Sequence, residues 1–331
     1  MLRVAVIGAG RIGKVHAAAV AAHPQAQLVA VCDPMGTAAE DLAAVHGARV
    51  YKDADALFAD PEVDAVIIGS PTPLHAPQVL AATRAGKAVL VEKPVAKDVE
   101  EARALDAELA TFEHPPVMVG FQRRYDPSIR RAKDLIEDGS IGDLEQVVIV
   151  ARDPAPPPAE YVAVCGGIFK DMTIHDLDEA RFFLGEIVEV SAFGQKVLPE
   201  LADVDDFDAA VVMLRGADGA VATVMNNRRC VTGYDQRLEV HGSAGSAVMD
   251  NLRPTALSVN TAEASGSQQP YLDFFLTRYA DAYSNELTAF IDAINTGAPV
   301  SPTVSDGVAA LVLAQAAEES ARSGRTVRLD A

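Results

Sequence analysis

GGIFKDMTIHDLDEARFFL, residues 166–184, is apolar on most sides of a helix yet carries Asp171, His175 and Asp178. At 100° per residue the three fall within an arc of roughly 60°. Asp171 and His175 are four apart, so their side chains are helix-surface neighbours. An imidazole beside a carboxylate can take the proton of a hydroxyl at neutral pH, which is general-base chemistry. The bland reading of the same pattern is a polar strip on a half-buried helix.

Two further stretches carry chemistry. Gly8, Gly10 and Gly13 form G-x-G-x-x-G between an apolar run and a helical stretch. There the first glycine permits a tight turn, the second lets backbone approach a pyrophosphate, and the third allows close helix packing. Asp33, closing the next apolar run, stands at the usual distance for an acid that hydrogen-bonds a ribose diol; it could also cap the helix predicted over 37–46. An acid at that position repels a 2′-phosphate, so NAD is expected over NADP. In SPTPLHAPQVLAATRAGKAVLVEKP, Ser70 ends one apolar run, Thr72 and His75 lead into a helix, and Glu92, Lys93 and Pro94 follow another run. Lys93 is either a solvated cation or an ammonium aimed into a cleft.

The elements that must position these groups follow from periodicity. Near-continuous apolar runs at 3–10, 27–33, 65–70, 88–94 and 116–122 alternate with helical stretches near 13–22, 37–46, 75–85 and 98–111. That rhythm predicts a doubly wound parallel sheet, an α/β Rossmann domain over 1–121. From 122 to 331 the pattern changes to α+β. A helix capped by Asp126 spans 126–139, a strand spans 144–153, and a proline run at 153–158 must be an extended loop. The motif helix follows, then strands with short glycine-bearing turns, then helices near 276–296 and 304–323. This second domain is expected to hold a large, mostly antiparallel open-faced sheet.

Composition narrows the partners. A chain of 331 residues, 49% hydrophobic, can bury two cores. No run nears the eighteen or so apolar residues of a membrane span. MLRVAVIGAGRIG reads as a first strand, with no signal-peptide cleavage pattern. Three widely spaced cysteines support neither disulfides nor a metal site, so no metal and a cytoplasmic setting are expected. The net charge of −19 argues against nucleic acid.

Taken together, GAGRIGKVHA, SPTPLHAPQVLAATRAGKAVLVEKP and the 166–184 stretch resemble the glucose-fructose oxidoreductase/inositol dehydrogenase/rhizopine catabolism superfamily over essentially the whole chain. Within it, the inositol 2-dehydrogenase group is the most similar. The resemblance implies a Rossmann domain, a C-terminal sheet used for oligomerisation, commonly as a homotetramer, and a catalytic set filled here by Lys93, Asp171 and His175. It also implies a Lys93–Pro94 bond that is often cis. The expected reaction is oxidation of a ring hydroxyl of an inositol with NAD: His175 accepts the proton, although a desolvated Lys93 could do so, Lys93 binds the developing alkoxide, and Asp171 orients. The expected cofactor set is Gly8, Gly10, Arg11, Ile12, Gly13, Asp33, Ser70, Thr72, His75, Glu92, Lys93 and Gln122. The expected polyol contacts are Lys93, Arg123, Asp153, Asp171, His175, Tyr234 and Tyr283, with Asp153 foremost. Competing readings are an enzyme of the same superfamily acting on another cyclitol or a sugar, and a non-catalytic NAD-binding sensor.

Overall fold

The apolar runs of the first third form one sheet in this computed structural model, which describes residues 1–329. Strands β1 (Leu2–Ile7), β2 (Ala26–Cys32), β3 (Arg49–Tyr51), β4 (Ala65–Ile68), β5 (Ala88–Glu92) and β6 (Val117–Gly120) take the order β3-β2-β1-β4-β5-β6. Each neighbouring pair is parallel. β4 and β5 are buried on both faces, which is why their sequences are unbroken apolar runs rather than alternating ones. Helices α1 (Arg11–Ala22), α2 (Thr37–His46), α3 (Ala54–Phe58), α4 (His75–Arg84) and α5 (Val99–Leu109) make the crossovers. The strand order reverses between β1 and β4, so the crevice beyond their carboxyl ends is where such a sheet receives a ligand. The short β3 and α3 escape the sequence periodicity. β3 spans three residues, two of them exposed, and α3 is a five-residue turn capped by Asp53, so neither has length enough to show a period.

The second region opens with α6 (Pro127–Glu137), where the Asp126 carboxylate accepts from the Ser128 and Ile129 amides as a cap should. It continues through β7 (Leu144–Arg152), the extended proline segment and α7 (Ala159–Val162). A π-helical turn at Phe169–Thr173 then leads into α8 (Ile174–Leu184). The strands β8 (Ile187–Gln195), β9 (Ala209–Gly216), β10 (Val221–Asn227), β11 (Asp235–Gly242) and β12 (Gly245–Met249) come next, then a two-stranded ribbon of β13 (Ser258–Val259) and β14 (Ser267–Gln268), the short α9 (Phe275–Arg278), and finally β15 (Val327–Arg328). The large sheet runs β12-β11-β7-β10-β9-β8-β15. It is antiparallel except between β7 and β10, which are parallel. One face packs on α8 through a core that includes Ile149, Leu177, Phe183, Val212, Val224 and Leu238.

Contacts divide the chain into Met1–Tyr125 with Asp281–Leu311, and Asp126–Ala280 with the segment from Val312 onward. A simple cut at 121/122 therefore misses that residues 281–311 join the first unit. The cause is the inward face of α10 (Ala280–Thr296): Leu287, Phe290 and Ile291 pack into the parallel-sheet core with Val4, Val6 and Ile67. α11 (Val304–Ser323) begins in the first unit and ends in the second. No helix among the described residues is long and apolar enough to cross a membrane.

Candidate active site

In the first unit the glycine loop between β1 and α1 does what its spacing requires. Gly8 has φ +94°, and a Cβ there would lie 2.4 Å from the Gly69 carbonyl oxygen; at Gly13 it would lie 1.8 Å from that of Gly8. Those two glycines are demanded by backbone packing alone. Gly10 differs, because a Cβ there meets nothing within 4 Å. It leaves room in front of α1, whose N-cap Gly10 makes no side-chain cap bond, so the amide end and positive dipole of the helix can face a phosphate. Asp33 accepts from the Ala9 amide through Oδ2 and from the Met35 amide through Oδ1, both at 2.8 Å. It does not cap α2, whose first turn follows Gly36. The carboxylate sits against the glycine loop with lone pairs to spare, as a ribose diol needs. Open space at Gly10, an uncapped helix start and an acid beside the loop together fit a dinucleotide.

At the ends of β4 and β5, Ser70 Oγ donates to Gln78 Oε1 (2.6 Å), and Thr72 begins a 3₁₀ turn. The His75 ring lies between the two loops, with Nδ1 2.7 Å from the Pro94 oxygen and Nε2 2.8 Å from the Ser70 oxygen. With 2% exposure and both nitrogens engaged, His75 braces the loops that carry Ser70 and Lys93 instead of presenting itself to a ligand. Lys93 is partly exposed and its bond to Pro94 is cis. Glu92, buried beneath it, has Oε1 2.7 Å from His16 Nε2 and accepts from the Lys93 amide through Oε2 at 3.3 Å. Arg11 is exposed, Ile12 partly so, and Gln122 and Arg123 are buried in a 3₁₀ turn after β6. Tyr283, on α10, is buried with its ring edge-on to His16 at 5.5 Å, which gives it a packing duty in this unit. Glu286, one turn further on, is fully buried, and neither carboxyl oxygen has a hydrogen-bond partner among the described residues. Burial, and then the charge of Glu92, push its carboxyl well above the usual range.

In the second unit, Asp171 and His175 are carried by the run that starts at Gly166 and Gly167, both at positive φ. Asp171 lies in the π turn and His175 in the first turn of α8, and both are partly exposed. Asp178 follows His175 by three residues on the same α-helix but is more deeply buried than either Asp171 or His175. It is 1% exposed, and Asp176 and Glu179 beside it are also buried. An i→i+5 turn rotates the residues after it relative to those before, so the arc calculated for a regular helix holds between His175 and Asp178 but not for Asp171. Asp176 Oδ2 accepts from Asn226 Nδ2 at 2.9 Å, which ties α8 to β10.

The surroundings of Asp171 hold the residues that the sequence hid. Tyr161 donates to Asp171 Oδ1 at 2.8 Å, and Arg228 Nη1 donates to Oδ2 at 3.0 Å. Arg228 is the largest fully buried side chain among the described residues. Asp206 lies 3.7 Å from its Nη2 and Cys165 Sγ also 3.7 Å. Burial raises the Tyr161 hydroxyl above the range of a free phenol, with the Asp171 charge adding to it, and raises the Cys165 thiol likewise. In sequence Arg228 is one of two arginines at a strand end, indistinguishable from a solvated charge; only burial identifies it. Asp153 leaves the end of β7, partly exposed, with its amide bonded to the Asn227 carbonyl at 2.9 Å. Tyr234 is buried, edge-on to Tyr279 and Phe274, each at 6.2 Å.

The chain is similar to proteins of known kind along its full length. It is 44% identical over 330 residues to an inositol 2-dehydrogenase of Rhizobium meliloti, covering 99% of both chains. A myo-inositol dehydrogenase from Corynebacterium glutamicum superposes with a TM-score of 0.96 at 45% identity, covering 100% of this chain and 99% of that one. A Lactobacillus casei scyllo-inositol dehydrogenase with bound NAD(H) and scyllo-inositol superposes at 0.90 with 30% identity and 99% coverage of both. Residues 2–121 match the oxidoreductase family with an NAD-binding Rossmann fold, and 129–248 match the GFO/IDH/MocA C-terminal domain. Cofactor loop, strand-end lysine and two-part chain thus converge, and the protein belongs to the GFO/IDH/MocA family of NAD-binding oxidoreductases.

Proposed function

We propose that the protein is an NAD-dependent dehydrogenase that oxidises a ring hydroxyl of an inositol to the inosose, of the myo-inositol 2-dehydrogenase type. The observation that carries this reading is the full-length likeness to inositol dehydrogenases, one of them solved with NAD(H) and an inositol. Gly8, Gly10, Arg11, Ile12, Gly13 and Asp33 hold the dinucleotide, with Ser70, Thr72, Glu92 and Gln122 around it and His75 as the brace. The bound nicotinamide supplies the acceptor for the hydrogen and electron pair that leave the carbinol carbon.

Lys93, Asp171 and His175 act together on that carbinol. His175 accepts the hydroxyl proton, because an alkoxide left without a base is too unstable at neutral pH. Lys93 donates a hydrogen bond to the same oxygen, where negative charge grows in the transition state. Asp171 orients the imidazole and offsets the charge it acquires. Asp153 and Arg123 read the remaining hydroxyls. Tyr234 and Tyr283, both buried in aromatic contacts, shape the site more than they bind in it. The same reading makes the protein a cytoplasmic homotetramer serving inositol catabolism, and it needs neither membrane nor nucleic acid.

The test is a panel of myo-inositol, scyllo-inositol and aldoses with NAD, followed at the absorbance of the reduced cofactor. Turnover of myo-inositol is expected, and Lys93→Ala should lower kcat by about 10²–10⁴-fold while NAD affinity persists. Turnover confined to aldoses points to the sugar-oxidising relative, and NAD binding without any turnover to the sensor.

A further inference from the structure

We propose that Arg228 is the positioning residue that fixes Asp171 as an oriented carboxylate, leaving proton acceptance to His175. This rests on the catalytic reading above and deepens it. Both oxygens of Asp171 are already occupied from within its own unit, Oδ1 by the Tyr161 hydroxyl at 2.8 Å and Oδ2 by the Arg228 guanidinium at 3.0 Å. A carboxylate that accepts two such bonds, one from a cation, gains little by taking a proton. Tyr161 can only reinforce this, since its hydroxyl is raised by burial and by the Asp171 charge and so stays a donor.

Arg228 is equally constrained on its other side. Its backbone amide donates to the Asp208 carbonyl at 2.8 Å, and its second terminal nitrogen faces Asp206 at 3.7 Å. Asp206 in turn accepts from the Ile168 amide at 3.1 Å, and a Cβ on Gly167 would come within 3.2 Å of its Oδ1. The guanidinium therefore bridges the end of β10 to the start of the π turn, and Asp171 sits on that bridge. At 1% exposure, Arg228 is not a solvated surface charge. Cys165, with Sγ 3.7 Å from the guanidinium, is a further ionisable group against the pair.

The experiment is a double-mutant cycle in the full-length enzyme, reading kcat for myo-inositol and, separately, the NAD dissociation constant by fluorescence. Arg228→Met is expected to lower kcat by about 10²-fold, the scale of a misplaced catalytic group, with NAD affinity unchanged. In an Asp171→Asn background the same substitution should change kcat by less than about threefold, because its route of action is already gone. Losses that multiply, an unchanged kcat in the single variant, or NAD affinity falling in step with kcat would each overturn the proposal. If circular dichroism shows Arg228→Met unfolded, Arg228→Lys takes its place: it keeps the charge without the planar fork, and its smaller loss should vanish in the same background. A wild-type enzyme without inositol turnover rejects the dehydrogenase reading itself; an active wild type with multiplying losses rejects only the role of Arg228.

Discussion

Asp33 shows how one side chain can hold a loop and select a cofactor. Each of its oxygens accepts a backbone amide, from Ala9 and from Met35, so the negative charge stands still beside the glycine loop. A fixed charge repels a 2′-phosphate more effectively than a mobile one would. Asp33→Asn keeps an acceptor for the loop and removes the charge; the ratio of kcat/KM for NADP over NAD is expected to rise about tenfold, some 1.4 kcal/mol. An unchanged ratio would leave Asp33 with the loop alone. At this scale the sequence is legible where backbone packing constrains residue type at a spacing, as for Gly8 and Gly13. It is silent for Arg228, Tyr161 and His16, whose importance comes from neighbours distant in the chain.

Periodicity found most elements, most boundaries lying within two residues, because apolar runs in parallel strands and capped helices write their ends into the sequence; the first strand ends three residues early, and the helix expected over 276–296 is broken into α9 and α10. What it could not find were elements too short to have a period, such as β3, and the π turn, whose composition is that of any helix. α10 adds another lesson. Its apolar face marks it as a core helix, but nothing in SNELTAF announces that Glu286 is fully buried near Glu92, with Tyr125 and the His16 imidazole in the same unit. In the native protein Glu286 holds its proton well above the ordinary value of 4.5, whereas the unfolded chain releases it near that value. Over that window the folded state binds more protons, so this group's contribution to stability is complete below pH 4.5 and declines as pH rises toward the folded-state value. Glu286→Gln is neutral in both states and should flatten that decline. Thermal melts of the two proteins should separate more at about pH 9 than at about pH 6, with the variant the more stable at the higher pH; parallel curves would mean the native carboxyl is not held protonated.

On the scale of the whole molecule, one face of the large sheet exposes apolar side chains toward the β8–β9 edge. Phe193 pairs with Val211, Val211 with Met225, and Met225 with Val150, an apolar row across four strands on the face opposite α8. Phe193 is 64% exposed and Met213 48%. Such a patch is characteristic of an association surface, and it supports the tetramer proposed above. Phe193→Asp should shift the sedimentation profile from tetramer toward smaller species; a wild-type chain that sediments as a monomer would reject the tetramer at once.

The parallel pairing of β7 with β10 has a temporal consequence. The hairpins β9–β10 and β11–β12 close over a few residues, but the bond from Asn226 to the Ala151 carbonyl joins positions 75 apart. Loop closure of that span is slow compared with a hairpin. Asp153 and Arg228 leave the paired strand ends, and Asp171 is carried on the excursion between them, so their relative placement is set only once this long-range pairing has closed.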